Sequence, residues 1–269
     1  MTDRADLNAL RARLLARAQQ AVPRDWLPVV MAGREVGVAG PEVASFLASS
    51  TPHFALADHR LLLLDDGLDP TARGALLADC ALRLRDAGLL RGWRDERLDI
   101  RPAPEEAPIA VIERAACRTL GITTVAVHLN AFTAGGELIV ARRARHKQID
   151  PGLWDNLVGG MVPAGEDDEQ ALRREAREEA GLDLGGVALV RGGHVHVRRR
   201  VPEGFQSEIV RVFDAVIADG TELRNEDGEV DAIERRPVAA VIGAIGRDEF
   251  TLESALVTLE ALLRRTDAG

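Results

Sequence analysis

Between Gly160 and Leu182 the chain places Glu166, Arg174, Glu175, Glu178 and Glu179 in one acidic stretch framed by Gly160 and Gly181. On a helix, positions three and four apart share a face, so Glu175, Glu178 and Glu179 project their carboxylates within about 100° of arc. Like charges at that spacing repel by roughly 0.2–0.5 kcal/mol per pair even in water, so a neutralising partner is expected. A hard divalent cation with oxygen ligands answers this. Mg2+ suits best, because it keeps several waters and is held by a few carboxylates together with substrate phosphates. The ends of the helix are marked as well. Asp167 and Gln170 have the spacing of a capping box, Asp168 and Glu169 suit the positive first turn, and Gly181 offers a left-handed stop. Leu172, Ala176 and Ala180 make an apolar line beside the acids, which predicts a helix lying on a sheet with its carboxylates at the rim. Gly159, Gly160 and Gly165 let the preceding loop pass close to a ligand, and Arg174 is placed to orient a carboxylate through a bidentate pair.

A charged helix alone is usually a solvated face. Here the full pattern Gly160-x5-Glu166-x7-Arg174-Glu175-Ala176-x-Glu178-Glu179-x-Gly181-Leu182 resembles the Nudix box of the Nudix hydrolases, which cleave a nucleoside diphosphate linked to another moiety. Ala176 is a small choice where that family more often has Ile, Leu or Val. The resemblance implies an α/β fold, a Nudix α/β/α sandwich with a mixed sheet, preceded here by a small α+β N-terminal domain. It also implies Mg2+-dependent attack of water on phosphorus, with Mn2+ as a substitute. Carried over by position, Glu175, Glu178 and Glu179 are metal ligands, the Gly159 carbonyl adds another, and Arg174 and Glu166 orient the carboxylates.

A chain of 269 residues with 46% hydrophobic content can bury two unequal cores. No apolar run approaches the roughly 18 residues that span a bilayer, and Met1-Thr2-Asp3-Arg4 is too polar for a secretory signal, so a cytoplasmic protein without membrane partners is expected. The net charge of −9 argues against a nucleic-acid polymer as partner. A small anionic diphosphate substrate needs only a local cluster, which Arg142, Arg143, Arg145, His146 and Lys147 provide. Cys80 and Cys117 read as buried spacers rather than a disulfide or a catalytic thiol. The oligomer is expected to be a monomer or homodimer.

The hydrophobic pattern predicts a helix over 5–20, strands near 35–38 and 60–64, and a helix over 71–87 stopped by Gly88. The proline-rich stretch 101–108 is the expected linker, since its prolines resist helix and central strand. A short connecting helix over 112–120 then separates an N-terminal domain, 1–118, from a second domain, 119–269. Strands are expected over 123–132, 137–141, 187–199 and 207–217, and a closing helix over 252–264.

The run from Pro151 to Val162, with Arg142-Arg143, Phe213-Asp214 and Asn225 to Val230, is similar to the Nudix branch that includes a domain fused to fungal thiamine pyrophosphokinase. Gly92-Trp93-Arg94-Asp95-Glu96 and Ile112-Glu113-Arg114 resemble the extra N-terminal domain of that branch. What this implies is hydrolysis of thiamine diphosphate, especially its oxo and oxy forms, to the monophosphate and phosphate, with the N-terminal domain as a cover for the organic end. Trp154 is the candidate stacking wall, against a reading as a core tryptophan. Gln148 and Asn156 are placed to read ring edges, with Arg142 and Arg143 for the phosphates. For the base, Glu229 in a Gly-containing loop is favoured over the strand-borne Glu208, whose carboxyl burial would raise. His194, His196, Arg198 and Arg200 share one strand face and read as a polar face rather than a metal site.

Nucleotide substrates such as oxidised nucleoside triphosphates remain an alternative, because the metal site is the same for each. A ligand-sensing regulator would have lost its box acids and gained a basic DNA-reading module. Isopentenyl diphosphate isomerase shares a Trp-x-Asn run before its acidic helix, but its proton-transferring cysteine and histidine are matched here by Gly159 and Met161.

Overall fold

The chain builds two packed units around separate hydrophobic cores, and in this computed structural model residues 3–147, 149–226 and 228–267 are described. The first elements are α1 (Arg4–Ala18), β1 (Leu27–Met31), β2 (Arg34–Ala39), α2 (Pro41–Ser50), β3 (Phe54–Ala57), β4 (Arg60–Leu63) and α3 (Pro70–Asp86). They are followed by β5 (Arg97–Ile100), β6 (Ala110–Glu113) and α4 (Arg114–Thr119). Strands β2-β1-β4-β3 form one sheet. Leu47 of α2 and Leu77 and Leu84 of α3 pack against Val29 and Leu61 of that sheet, all fully buried. Both α2 and α3 begin with proline, whose fixed φ and missing N–H suit a first helical position.

The second unit contains β7 (Thr123–Thr133), β8 (Leu138–Arg143), β9 (Trp154–Asn156), β10 (Val158–Met161), α5 (Asp168–Ala180), β11 (Val190–Val201), β12 (Gly204–Ile217), β13 (Val230–Arg236), α6 (Val238–Gly246) and α7 (Leu252–Asp267). Its sheet runs β11-β12-β7-β8-β13, with β10 on β7 and β9 on β8. The β7–β12 pair is parallel from Thr123↔Ser207 to Thr133↔Ile217, and the other pairs are antiparallel, so the sheet is mixed. A strand buried on both faces reads as a nearly continuous apolar run, as β7 and β12 do. Val127, Leu129 and Phe213 face α5, while Ala126, Val210 and Val212 face α7. The α/β/α sandwich is therefore present.

Two placements differ from the sequence reading. Residues 101–108 are not a linker but the loop joining the antiparallel pair β5 and β6, because prolines that end one strand are equally compatible with a hairpin connection. The chain passes between units at 120–122 instead. Helix α1 leaves its sequence neighbours and packs Leu7, Leu14 and Ala18 into the core that holds α7. Arg17 holds Asp248 at 2.6 Å and Arg11 pairs with Glu260, fastening it there.

The crossing point is a backbone-on-backbone contact. Val38 N–H donates to the Leu120 carbonyl at 2.8 Å, and a Cβ on Gly37 would lie 2.3 Å from that same oxygen. Because the neighbour is main chain and cannot swing away, Gly37→Ala is expected to cost about 1–3 kcal/mol, read from urea unfolding. An unchanged midpoint would show that the contact is not rigid.

Cys80 and Cys117 are free, buried in the first core, and 37 positions apart in sequence with no disulfide between them. Burial pushes both thiols up to about 12. Since the thiolate is the reactive form, neither is expected to take up iodoacetamide at pH 8 until the chain is unfolded, which mass spectrometry of the labelled chain checks.

Candidate active site

Helix α5 is assembled as its sequence requires. Asp167 accepts from the N–H groups of Glu169 and Gln170, while Gln170 accepts from the Asp167 N–H, closing the capping box. Gly181 ends the helix at φ +59°, in the left-handed region. Leu172, Ala176 and Ala180 are fully buried on the sheet, which leaves the carboxylates at its edge.

Arg174 organises three of them. Its Nε donates to Glu166 at 3.2 Å, and its Nη1 donates to Glu175 at 2.9 Å and Glu178 at 3.0 Å. Burial works against its charge, yet Glu175 and Glu166 hold the guanidinium above its ordinary value. Burial pushes the Glu175 carboxyl above the usual carboxylate range, against the pull of Arg174. Glu175 lies flat on the strand before the helix, where a Cβ on Gly160 would come 2.1 Å from its carboxyl carbon. Glu179 turns to the same strand and accepts from the Gly159 N–H at 2.9 Å. With Arg174 among the acids, the described residues contain no cluster of three or more metal-ligating side chains. The donor chemistry nonetheless fits a hard cation: carboxylates, one backbone carbonyl, and a glycine strand that admits nothing larger beneath Glu175.

The residues expected to hold the substrate fare differently. Asn156 is 3% exposed and its amide is fully engaged. It donates to Asn130 at 2.9 Å and Thr258 at 3.1 Å, and its Oδ1 lies 2.8 Å from His128 Nδ1. This corrects the ring-edge reading, because buried polar groups that are satisfied internally have nothing left for a ligand. Trp154 is a supporting residue of the second core, with Arg236 over its ring at 4.7 Å and Arg142 at 5.7 Å. It lines neither of the cavities described below, so the stacking wall is corrected to a core tryptophan, and Arg142 is committed to it. Arg143 braces the 144–153 loop through Ile149 O at 3.0 Å and Asp155 at 3.0 Å. Gln148 lies outside the described residues. Glu229 is paired with Lys147. Burial opposes its ionisation, but Lys147 and the nearby charges of Arg143 and Arg94 hold its carboxyl below the usual range, which makes it a weak base.

Two of the cavities between the units share Leu98 and Ser207 in their walls. The larger, about 740 Å³, is bounded by β2, the 101–105 loop, the 166–168 turn, β11 and β12. Val36, Pro102, Phe205 and Ile209 give it apolar walls, and His194, His196 and Arg198 give it polar ones, so the polar face of β11 looks onto a cavity rather than onto bulk water. Burial, with Arg198 and His194 beside it, pulls the His196 ring below its ordinary value. Arg211 on the floor pairs with Glu105 of the loop, while its buried Nε makes no hydrogen bond. The smaller cavity, about 100 Å³, lies beside Met161 and contains Glu208. Burial pushes the Glu208 carboxyl up, and Glu253 adds to this. Its other walls come from arginines of the first unit, which are dispersed in sequence over 91–118 and gave no motif to read.

A mixed sheet between two helical layers, carrying a complete acidic box at its rim, defines a Nudix domain. A family model described as "NUDIX domain" matches residues 122–255, and one described as "Domain of unknown function (DUF4743)" matches residues 10–124. The chain belongs to the Nudix superfamily and carries an N-terminal extension ahead of its Nudix domain. Among curated proteins it is 28% identical to Nudix hydrolase 20, chloroplastic, of Arabidopsis thaliana, over 72% of this chain and 54% of that one. It is 27% identical to Nudix hydrolase 24, chloroplastic, of the same plant, over 89% and 68%. The chain thus spans about half the length of the first of these relatives and about two thirds of the second. The isopentenyl-diphosphate Delta-isomerase of Salmonella heidelberg is 30% identical over 46% of this chain and 68% of that protein. Of solved structures, DR0079 from Deinococcus radiodurans aligns with TM-score 0.46 at 22% identity, over 63% of this chain and 98% of that one. No helix among the described residues is long and apolar enough to cross a membrane.

Proposed function

We propose that the chain hydrolyses a diphosphate linked to an organic group, and that the group is thiamine or one of its oxo or oxy derivatives, released as the monophosphate with phosphate. The observation that carries the hydrolytic reading is the seating of Glu175 on Gly160 with Arg174 bridging Glu166, Glu175 and Glu178. Glu175, Glu178, Glu179 and the Gly159 carbonyl would hold Mg2+ or Mn2+, which supplies charge neutralisation at the phosphates and a more acidic bound water. Arg174 keeps the acids in register, and the Gly159 N–H fixes Glu179. Glu208, beside Met161, is the stronger base of the two, since burial pushes its carboxyl up while Lys147 and Arg143 hold that of Glu229 below the usual range. The larger cavity, within the ~300–1,000 Å³ usual for ligand sites, takes the organic end against Phe205 and Val36.

Two observations support this over isomerisation. Gly159, where the isomerases carry their cysteine, has no thiol and a Cβ there would press on the His128 ring at 3.0 Å, and Met161 offers no titratable group. The thiamine choice rests on the branch-like segments at 151–162 and 225–230 and on the N-terminal extension. Incubating the purified chain with Mg2+ and thiamine diphosphate, its oxo and oxy analogues, nucleoside triphosphates and dinucleotides, with phosphate release as readout, tests it. Turnover of the thiamine compounds above the rest is expected. Turnover confined to nucleotides moves the substrate to that class.

A further inference from the structure

The small cavity beside Met161 has an unusual wall. Arg91, Arg94, Arg114 and Arg118 all reach it from the first unit, and the second unit faces them with Glu203 and Glu208. Arg118 approaches Glu203 only at 3.9 Å, and Arg114 is held by Glu96 of its own unit at 2.6 Å. The side chains of Arg91 and Arg94 form no salt bridge among the described residues. Four arginines around so small a space repel one another, and the carboxylates that face them across the cavity are those of Glu203 and the buried Glu208.

We infer that this arginine cluster is an anion site for the substrate's phosphates, so that the N-terminal unit contributes binding groups to the Nudix site rather than only covering it. The inference rests on the hydrolase reading for the identity of the anion, but the site itself stands on the geometry. Its room, about 100 Å³, suits a few waters or one phosphoryl group. Its wall includes Met161, the strand neighbour of Gly160 on which the Glu175 carboxylate is seated. It shares Leu98 and Ser207 with the lining of the larger cavity, so the proposed site for the organic end and the arginine cluster are neighbours. Planar guanidinium groups match phosphate oxygens two at a time, which is the recognition that a terminal phosphoryl group needs.

Inorganic pyrophosphate, titrated calorimetrically into the full chain without divalent cation, reads the site with no demand for turnover. The wild type is expected to bind. Arg94→Ala combined with Arg118→Ala is expected to weaken binding by about tenfold or more, as loss of charged hydrogen bonds does. Arg83→Ala combined with Arg247→Ala, where Arg83 pairs with Asp79 and Arg247 with Glu249 away from the cavity, changes net charge equally and is expected to leave the affinity alone. Should the double variant fold poorly, Arg94→Glu, at an exposed and unbridged side chain, keeps the test open and is expected to weaken binding further. A wild type that ignores pyrophosphate, or arginine variants that bind it as tightly as the wild type, overturns the site. The two readings fail separately. A chain that binds pyrophosphate through Arg94 but hydrolyses nothing on the substrate panel keeps the site and loses the proposed function. A chain that turns over a diphosphate with KM unmoved by the arginine variants keeps the function and loses the site.

Discussion

Glu179→Gln is expected to lower kcat by at least about a thousandfold, with the fold intact. The substitution keeps the size of the side chain and an oxygen that can still accept from the Gly159 N–H, now at 2.9 Å, so helix α5 should remain seated. What it removes is one of the charges that would hold the cation in the proposed site. Loss of an outer-shell partner of a metal ligand typically costs ~10–100-fold, and removal of a ligand's charge should exceed that. Steady-state phosphate release with the best substrate of the panel measures the effect, and near-ultraviolet circular dichroism checks the fold. A variant with close to normal kcat would remove Glu179 from the site and with it the box as the origin of activity.

Gly160→Ala is expected to lower kcat about a hundredfold while shifting Tm by only a few degrees. Its new Cβ would lie 2.1 Å from both Cδ and Oε1 of Glu175 and 2.5 Å from Cγ. Those atoms are the end of a flexible side chain, so Glu175 moves instead of the backbone, and the cost in stability stays small. The cost in function does not, because displacing a catalytic group by roughly 1 Å can reduce rate ~10²-fold. The neighbouring position gives the contrast. At Gly159 the obstacle is the His128 ring, buried and held to Asn156 at 2.8 Å, so there an added methyl strains packing as well. If Gly160→Ala retains full activity, Glu175 does not need the seat that the strand gives it.

The box was legible because its chemistry is local. The cap at Asp167, the stop at Gly181 and the apolar line through Leu172 and Ala180 all follow from helical spacing, and the structure has each of them. Strands β7, β8, β11 and β12 and helices α1, α3 and α7 also follow from periodicity, with ends displaced by a few residues. Strand β10 is hidden in sequence, because Gly159-Gly160 carries no alternation; its pairing is with β7, some thirty positions earlier. Strand β13 and helix α6 were not anticipated either, lying after a Gly-containing loop that reads as irregular. The misplaced substrate residues have one cause. Asn156 and Trp154 sit close to the box in sequence, but alternation in β9 and the approach of α7 and Arg236 turn them inward. The arginine wall has the converse problem: its members come from the loop after α3 and from α4, and only the docking of the two units gathers them.

The embedding of α1 beside α7 sets an order on biosynthesis. Helix α1 leaves the ribosome well before α7, yet its Leu7 and Leu14 share a core with that helix, translated some 240 residues afterwards. At about 5–20 residues per second that is an interval on the order of ten seconds or more, during which an apolar stripe is solvent-facing and open to chaperones or to wrong neighbours. Completion of this core therefore waits on the synthesis of α7, and a sequence variation at residues 4–18 bears on how the mixed sheet matures, although those residues are remote from the acidic box.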